Sequence, residues 1–295
     1  DMGLGKTIQV LSYIQKRKRK ALGPFLIVLP KSLISNWEEE AKKFTPNLVV
    51  KTYEGPERKK MIAKFDDADI VLATYGVLRR DVEKLAEYPF DGVILDEAQN
   101  IKNANSQTAK AAFRLQGKVR LALTGTPVEN HVGELFSIFR FLMPGLFKKR
   151  LSVYGPAYRD ETLEVILKGL RPFLLRRTKD DVLKELPPKS EMTLYCDFGK
   201  DQSKEYQNLK RFYQGQLSET VKKQGLQNSS FHILEGLLRL RQFACHPKLL
   251  NQETELTSPK VDLLMEHLEE IAESGKKALV FSQFTSFLHL VQREC

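Results

Sequence analysis

Three short runs constrain the fold of this chain most tightly: FLIVL at Phe25–Leu29, IVLAT at Ile70–Thr74 and GVILD at Gly92–Asp96. Each is apolar almost from end to end, whereas a strand with one wet face alternates apolar and polar side chains. Between them lie stretches with apolar residues at helical spacing: Leu33, Trp37, Ala41 and Phe44, then Leu78, Val82 and Leu85. A fourth run, Val119–Thr124, comes later. Strands buried on both faces and separated by helices predict an α/β domain whose parallel sheet is covered on two sides. In such sheets ligands bind at the carboxyl ends of the strands. The polar residues of interest in this chain sit there.

The opening stretch, DMGLGKTIQV, adds a chemistry. Gly5-Lys6-Thr7 is the second half of a phosphate-binding loop of the form G-x-x-x-x-G-K-[ST]. The first position of that loop would fall just before residue 1, so a chain cut through the loop is expected. A turn holding Gly3 and Gly5 lets backbone N–H groups close around phosphate oxygens, and the helix that follows directs its positive end at the same anions. Lys6 would set a point charge on the terminal phosphates, and the Thr7 hydroxyl would ligate magnesium. Ile8, Leu11 and Ile14, with Val10 beside Ile14, start a helix at the loop. The competing reading is a glycine-containing helix entry beside a chance Gly-Lys-Thr.

The stretch FDGVILDEAQNIKN decides between them. A buried strand delivers Asp96 and Glu97 together at its carboxyl end, where two adjacent carboxylates are costly unless a cation or a proton is handled. Asp96 can hold the magnesium begun by Thr7, and Glu97 can polarise an attacking water. A solvated acidic turn is the bland alternative. The run LALTGTPVEN then places Thr124-Gly125-Thr126-Pro127 as a hydroxyl-rich turn after the apolar Leu121-Ala122-Leu123 of the fourth run.

With these segments in order, the chain resembles the Swi/Snf family of DNA-dependent ATPases in helicase superfamily two. The matching segments are DMGLGKTIQ, LIVLPKSLISNW, VLATYGVLRRD, VILDEAQNIKN, LALTGTPVEN, RPFLLRRTKDDVLKELPPK, LLRLRQFACHPKLL and KALVFSQFTSFL. The resemblance implies a RecA-like ATP-binding lobe over residues 1–147 and a helical protrusion and linker over 148–188. Residues 189–295 would begin a second RecA-like lobe with a helical insertion, its first strand at Lys277–Ser282. It implies ATP and Mg2+ as cofactors. Gly3, Gly5, Lys6, Thr7, Asp96 and Thr124 would contact the nucleotide, and Thr7 and Asp96 the metal. Catalysis would rest on Glu97, Lys6 and Gln99. Gln99 stands where many relatives have histidine, and in the family that position couples the ATP site to the turn at Thr124–Thr126. Lys31, Ser32, Lys102 and Asn103 match positions that contact DNA. Trp37 lies in the first of those segments, but it continues the Leu33–Phe44 stripe and belongs to the core.

The implied activity is an ATP-driven motor that tracks double-stranded DNA, without sequence preference, and changes protein–DNA contacts as a monomer. A catalytically silent DNA-binding scaffold is the alternative. A small-molecule kinase or signalling NTPase would explain the Gly-Lys-Thr and Asp-Glu segments but not TGTP, LLRRTKDDV or CHPKLL. Relatives carry a longer segment between FLMPGLF and RPFLLRRT, and two later motifs of the second lobe are not in the sequence, which reads as a fragment cut at both ends. Its flavour is prokaryotic, which would place it in the cytoplasm or nucleoid; a eukaryotic source would place it in the nucleus.

Composition sets bounds on these readings. The 295 residues are 42% hydrophobic and 28% charged, with a net charge of +10, an excess that suits a polyanionic partner. Three widely spaced cysteines, Cys196, Cys245 and Cys295, make no disulfide frame. No apolar run approaches the ~20 residues of a membrane helix. The basic run Gln15–Lys20 is expected to face water at a helix end. Cys245 and His246 are expected to form a packed turn before Pro247 and not a metal pair. Arg176 and Arg177 could contact phosphate or pair with Asp180 or Asp181. Gln224–Ser230 reads as a polar loop between helices.

Overall fold

A computed structural model describes residues 3–18, 23–125, 132–145, 168–185, 187 and 189–295. The chain divides into two compact units, Asp1–Pro187 and Pro188–Cys295. In the first, five parallel strands run in the order β2-β3-β1-β4-β5. They are β1 (Phe25–Leu29), β2 (Val50–Thr52), β3 (Ile70–Thr74), β4 (Phe90–Leu95) and β5 (Gly117–Ala122). β1 is central: Phe25 stands opposite Ile70 of β3 on one side and Gly92 of β4 on the other. The chain lays β2 and β3 on one flank of β1 and then crosses it to lay β4 and β5 on the other. That reversal marks the crevice outside the carboxyl ends of β1 and β4 as the ligand position.

The two-residue period of a strand sorts its side chains between two cores. Leu26 and Val28 join Val71, Ala73, Val93 and Leu95 beneath α3 (Tyr75–Glu87), α4 (Gln107–Arg114) and α5 (Val132–Leu142). Phe25, Ile27 and Leu29 join Ile70, Leu72 and Ile94 beneath α1 (Lys6–Lys18) and α2 (Ile34–Phe44). Each fully buried aliphatic side chain contributes roughly 1.5–3 kcal/mol, so the apolar runs alone specify a three-layer domain. Trp37 lies in the second core at 1% exposure, as its place in the stripe predicts. Gly92 is needed where it stands, because a Cβ there would lie 2.2 Å from the Phe25 ring.

Several elements differ from expectation. β2 is an unforeseen edge strand; its half-buried residues leave it without an apolar run. β5 begins two residues before the apolar run because its pairing starts at Gly117, opposite Phe90. The basic run does not simply face water. Arg17 makes a forked pair with the buried Asp91 carboxylate at 3.0 and 3.3 Å, and Lys18 bridges Asp69 and the Asn47 carbonyl, both at 2.7 Å. These acids lie at the amino ends of β4 and β3, so the carboxyl end of α1 is pinned there. A second buried acid, Asp81, sits at a kink in α3 and accepts from Arg58 Nε at 2.6 Å, Arg58 Nη2 at 3.1 Å and the Tyr53 hydroxyl at 2.9 Å. Asp181 is held by Thr178 in a capping box at the single helical turn Lys179–Val182.

The regular elements among the described residues of the second unit are helices, chiefly α6 (Lys200–Asn228), α7 (Ser230–Cys245), α8 (Pro259–Glu273) and α9 (Thr285–Glu294). The stretch read as a polar loop is helix almost throughout, broken at Gly225 with φ 77°. Val261 of α8 packs with Phe284, Phe287 and Val291. Pro247 is buried, and His246 Nδ1 accepts the Lys248 N–H at 3.0 Å, the packed turn expected there. Lys277–Ser282 forms no strand. No ladder neighbour pairs with it among the described residues, and Leu279 and Phe281 stand 84% and 86% exposed. No helix among the described residues is long and apolar enough to cross a membrane.

Candidate nucleotide site

Gly3 and Gly5 take φ values of 79° and 74°, a region that L side chains resist. The Gly5 carbonyl accepts the Gln9 N–H at 3.1 Å, so α1 starts directly from this turn. Lys6 and Thr7 occupy its first turn, half-buried, where the N–H groups of a helix start and the helix dipole favour anions.

β4 brings the two acids to the crevice. The Asp96 N–H donates to the Val28 carbonyl at 2.8 Å, carrying the ladder with β1 to the last residue before the turn. The Asp96 carboxylate is buried and held at both oxygens: Trp37 Nε1–H donates to Oδ2 at 2.8 Å, and the Glu97 N–H donates to Oδ1 at 2.9 Å. The Tyr75 hydroxyl donates to the Asp96 carbonyl at 2.8 Å. Burial pushes the Asp96 carboxyl above its ordinary value. The Trp37 and Glu97 donors pull it back, the Glu97 charge adds to the rise, and the Lys6 ammonium lowers it. Tyr75 is raised by burial first, then by the charges of Asp96 and Glu97.

Glu97 adopts φ 49°, ψ 55°, the one non-glycine residue at positive φ among the described residues. Such a backbone costs on the order of 1–3 kcal/mol and collects at functional sites. It ends the strand and starts the turn Ala98–Ile101, whose Ala98 N–H donates to the Leu123 carbonyl at 2.8 Å. The end of β5 is thereby docked against the acids. Side chains repeat the link: Thr124 Oγ1 donates to Gln99 Oε1 at 2.8 Å, and Gln99 Nε2 donates to Glu97 Oε2 at 2.8 Å.

Gly3, Gly5, Lys6, Thr7, Asp96, Glu97, Gln99 and Thr124 therefore belong to one end of the sheet. Thr126 lies outside the described residues. Thr7 and Asp96 offer hard oxygen donors of the kind magnesium takes alongside phosphate oxygens and waters. Among the described residues no group of three or more His, Cys, Asp or Glu is placed to hold a metal.

The four positions matched to DNA contacts are spread. Lys31 and Ser32 are exposed on the turn Lys31–Leu33 that follows β1. Lys102 Nζ lies 3.6 Å from Glu134 Oε1, and the exposed Asn103 accepts the Asn105 N–H at 2.9 Å through its side chain. Two contributors escaped the sequence reading. Trp37 and Tyr75 hold Asp96, and the signal available for Trp37 was that a buried indole N–H needs an acceptor.

Comparison with known proteins gives the family. Residues 1–249 match the SNF2-related domain. MG018 of Mycoplasma genitalium, an uncharacterized ATP-dependent helicase, is 35% identical over 291 residues, covering 96% of this chain and 28% of its own length. The ISWI chromatin-remodeling complex ATPase ISW1 of Saccharomyces cerevisiae is 30% identical, covering 100% of this chain and 28% of its own length. The chain thus spans less than a third of either relative. The Sulfolobus solfataricus SWI2/SNF2 ATPase core in complex with double-stranded DNA superposes with a TM-score of 0.59 at 36% identity, over 99% of this chain and 63% of that one. The glycine turn, the paired acids, the docked β5 end and these likenesses lead to one conclusion: the chain belongs to the SNF2-related domain family.

Proposed function

We propose that the protein carrying this chain is an ATP-driven motor that moves along double-stranded DNA and alters protein–DNA contacts. The observation that carries the reading is the linked set Asp96, Glu97, Gln99 and Thr124 at the carboxyl ends of β4 and β5, with Lys6 close enough to act on the Asp96 charge. Lys6 and the N–H groups at the start of α1 bind the phosphates. Thr7 and Asp96 would hold magnesium, which would supply neutralisation of the phosphate charge. Glu97 orients a water for in-line attack and draws off its proton, while Gln99 fixes the Glu97 Oε2 and leaves Oε1 for that water. Thr124 ties this arrangement to the end of β5, so a displacement of the turn reaches the base through two hydrogen bonds.

The DNA part of the reading rests on a net charge of +10, the exposed Lys31 and Ser32, and the neighbouring Lys102 and Asn103. Contacts of this kind go to phosphates and carry no sequence preference. Residues 1–147 serve as the nucleotide lobe, 148–188 as the connection and 189–295 as part of the second lobe. The motor acts as a monomer.

DNA-stimulated ATP hydrolysis by the complete protein tests this. Glu97→Gln should keep ATP binding and abolish turnover, and Lys6→Ala should weaken binding itself. Wild-type turnover by Glu97→Gln would remove Glu97 as the base.

A further inference from the structure

We propose that Trp37 is a positioning residue for Asp96, holding the metal-side carboxylate in the orientation that hydrolysis requires. The inference rests on the reading of Asp96 as a magnesium ligand and adds a residue from a separate element to that site. Trp37 sits in α2, 59 positions from Asp96, and its ring is packed among Leu29, Ile34, Ala41 and Leu72 of one core. At 1% exposure it has no freedom to swing away. Packing alone would be served by any large apolar side chain. This one spends its single polar atom on Asp96 Oδ2 at 2.8 Å, in a contact where both groups are buried.

The chemistry of that bond is selective. An indole N–H donates and never accepts, so it holds a carboxylate oxygen with its lone pairs directed at the ring. With the Glu97 N–H on Oδ1 and Trp37 on Oδ2, rotation about the Asp96 side chain would break one charge-assisted bond or both. Each oxygen of a carboxylate accepts more than one bond, so the two donors fix the group and still leave capacity for a cation. Without the N–H, Oδ2 would be a buried acceptor with nothing to hold it. The carboxylate would then turn toward whatever cation is near, Lys6 included, and the metal would meet a misdirected ligand. Partners of this kind behind a metal ligand change affinity or activity by about 10–100-fold when removed.

The experiment replaces Trp37 in the complete protein with benzothienylalanine, which keeps the bicyclic shape and exchanges the N–H for sulfur, and separately with Phe. The expected result for both is a rise of about tenfold in the Mg2+ concentration needed for half-maximal turnover and a tenfold fall in kcat. The KM for ATP at saturating Mg2+ should stay within about twofold, and the melting temperature of the benzothienyl protein should match wild type. A second readout is independent of activity. Trp37 is the only tryptophan of this chain, and its indole N–H resonance, assigned by its loss in Trp37→Phe, should shift when Mg2+·ADP is added.

Asp96→Asn is the control that separates this proposal from the site reading. If Asp96→Asn leaves the Mg2+ dependence at wild type, the metal site itself is wrong. If Asp96→Asn raises it while the benzothienyl protein behaves as wild type, the role of Trp37 alone is overturned. An indole resonance that stays still on Mg2+·ADP addition also overturns it. Should Trp37→Phe fail to fold, the benzothienyl protein decides.

Discussion

Replacing Gln99 by Met removes both bonds of the Thr124–Gln99–Glu97 series while keeping the length of the side chain. The bond from Gln99 Nε2 to Glu97 is to a charged acceptor at 2.8 Å, a class worth roughly 1.5–3 kcal/mol. The bond from Thr124 Oγ1 to Gln99 Oε1 is neutral and also 2.8 Å, worth about 0.5–1.5 kcal/mol. Both lie in half-buried surroundings, which favours the lower ends of these ranges. At about 1.4 kcal/mol per tenfold, Gln99→Met should lower kcat for DNA-stimulated hydrolysis by about 10–100-fold and Thr124→Val by about 2–10-fold. The KM for ATP should stay within about twofold in each, since neither bond reaches Lys6 or Thr7. The double variant is the decisive one: once Gln99 is gone, Thr124 has lost its route to Glu97. Its kcat should match Gln99→Met alone, giving a coupling energy of about 1 kcal/mol in the cycle. Losses that simply multiply would show that Thr124 acts elsewhere. A change confined to KM would show that Gln99 serves binding and not the base.

Other consequences can be measured separately. Burial pushes the Asp81 carboxyl up, but the hydrogen bonds from Arg58 and Tyr53, with the charges of Arg58 and Lys59, outweigh it and hold the group below its ordinary value. A carboxyl depressed in the folded state stabilises it above the unfolded value near 4 and loses that contribution as pH falls through the folded value. Urea denaturation at pH 7 and pH 3 should therefore show a larger stability loss on acidification for the wild type than for an Asp81→Asn, Arg58→Met pair variant. An equal loss would refute the assignment. For DNA, Lys31→Ala should weaken duplex binding alike for all sequences and flatten the dependence of log K on log salt by about one unit. Lys102→Ala should flatten it less, because Glu134 already shares that charge. A slope unchanged by Lys31→Ala would remove the turn after β1 from the interface.

The parallel core was legible because Phe25–Leu29, Ile70–Thr74 and Gly92–Leu95 are buried on both faces and so carry no polar alternation. The same logic made β2 invisible, since half-buried Val50–Thr52 reads as loop. Lys277–Ser282 has the apolar content of a strand, but a strand exists only with a ladder partner, and sequence cannot supply one. The glycine turn and the acids could be read from chemistry, because few other tasks need Gly-Lys-Thr and a strand ending in Asp-Glu. The tie between Gln99 and Thr124 was an expectation of the family resemblance. No local pattern joins residues 25 positions apart. Trp37 was read correctly as core and incompletely as chemistry: its apolar stripe explains the burial and is silent about the indole N–H. The basic run was misjudged because helix position alone does not reveal that Asp91 and Asp69 wait at the strand starts.

The anchoring of α1 has a mechanical consequence. This helix of 13 residues, about 20 Å long, begins at the glycine turn and ends in ion pairs to acids at the amino ends of β4 and β3. An axial slide would have to break the forked Arg17–Asp91 pair, whose carboxylate is sealed from water. The helix therefore behaves as a strut of fixed length that holds the glycine turn at its tip at a set distance from the amino ends of β3 and β4.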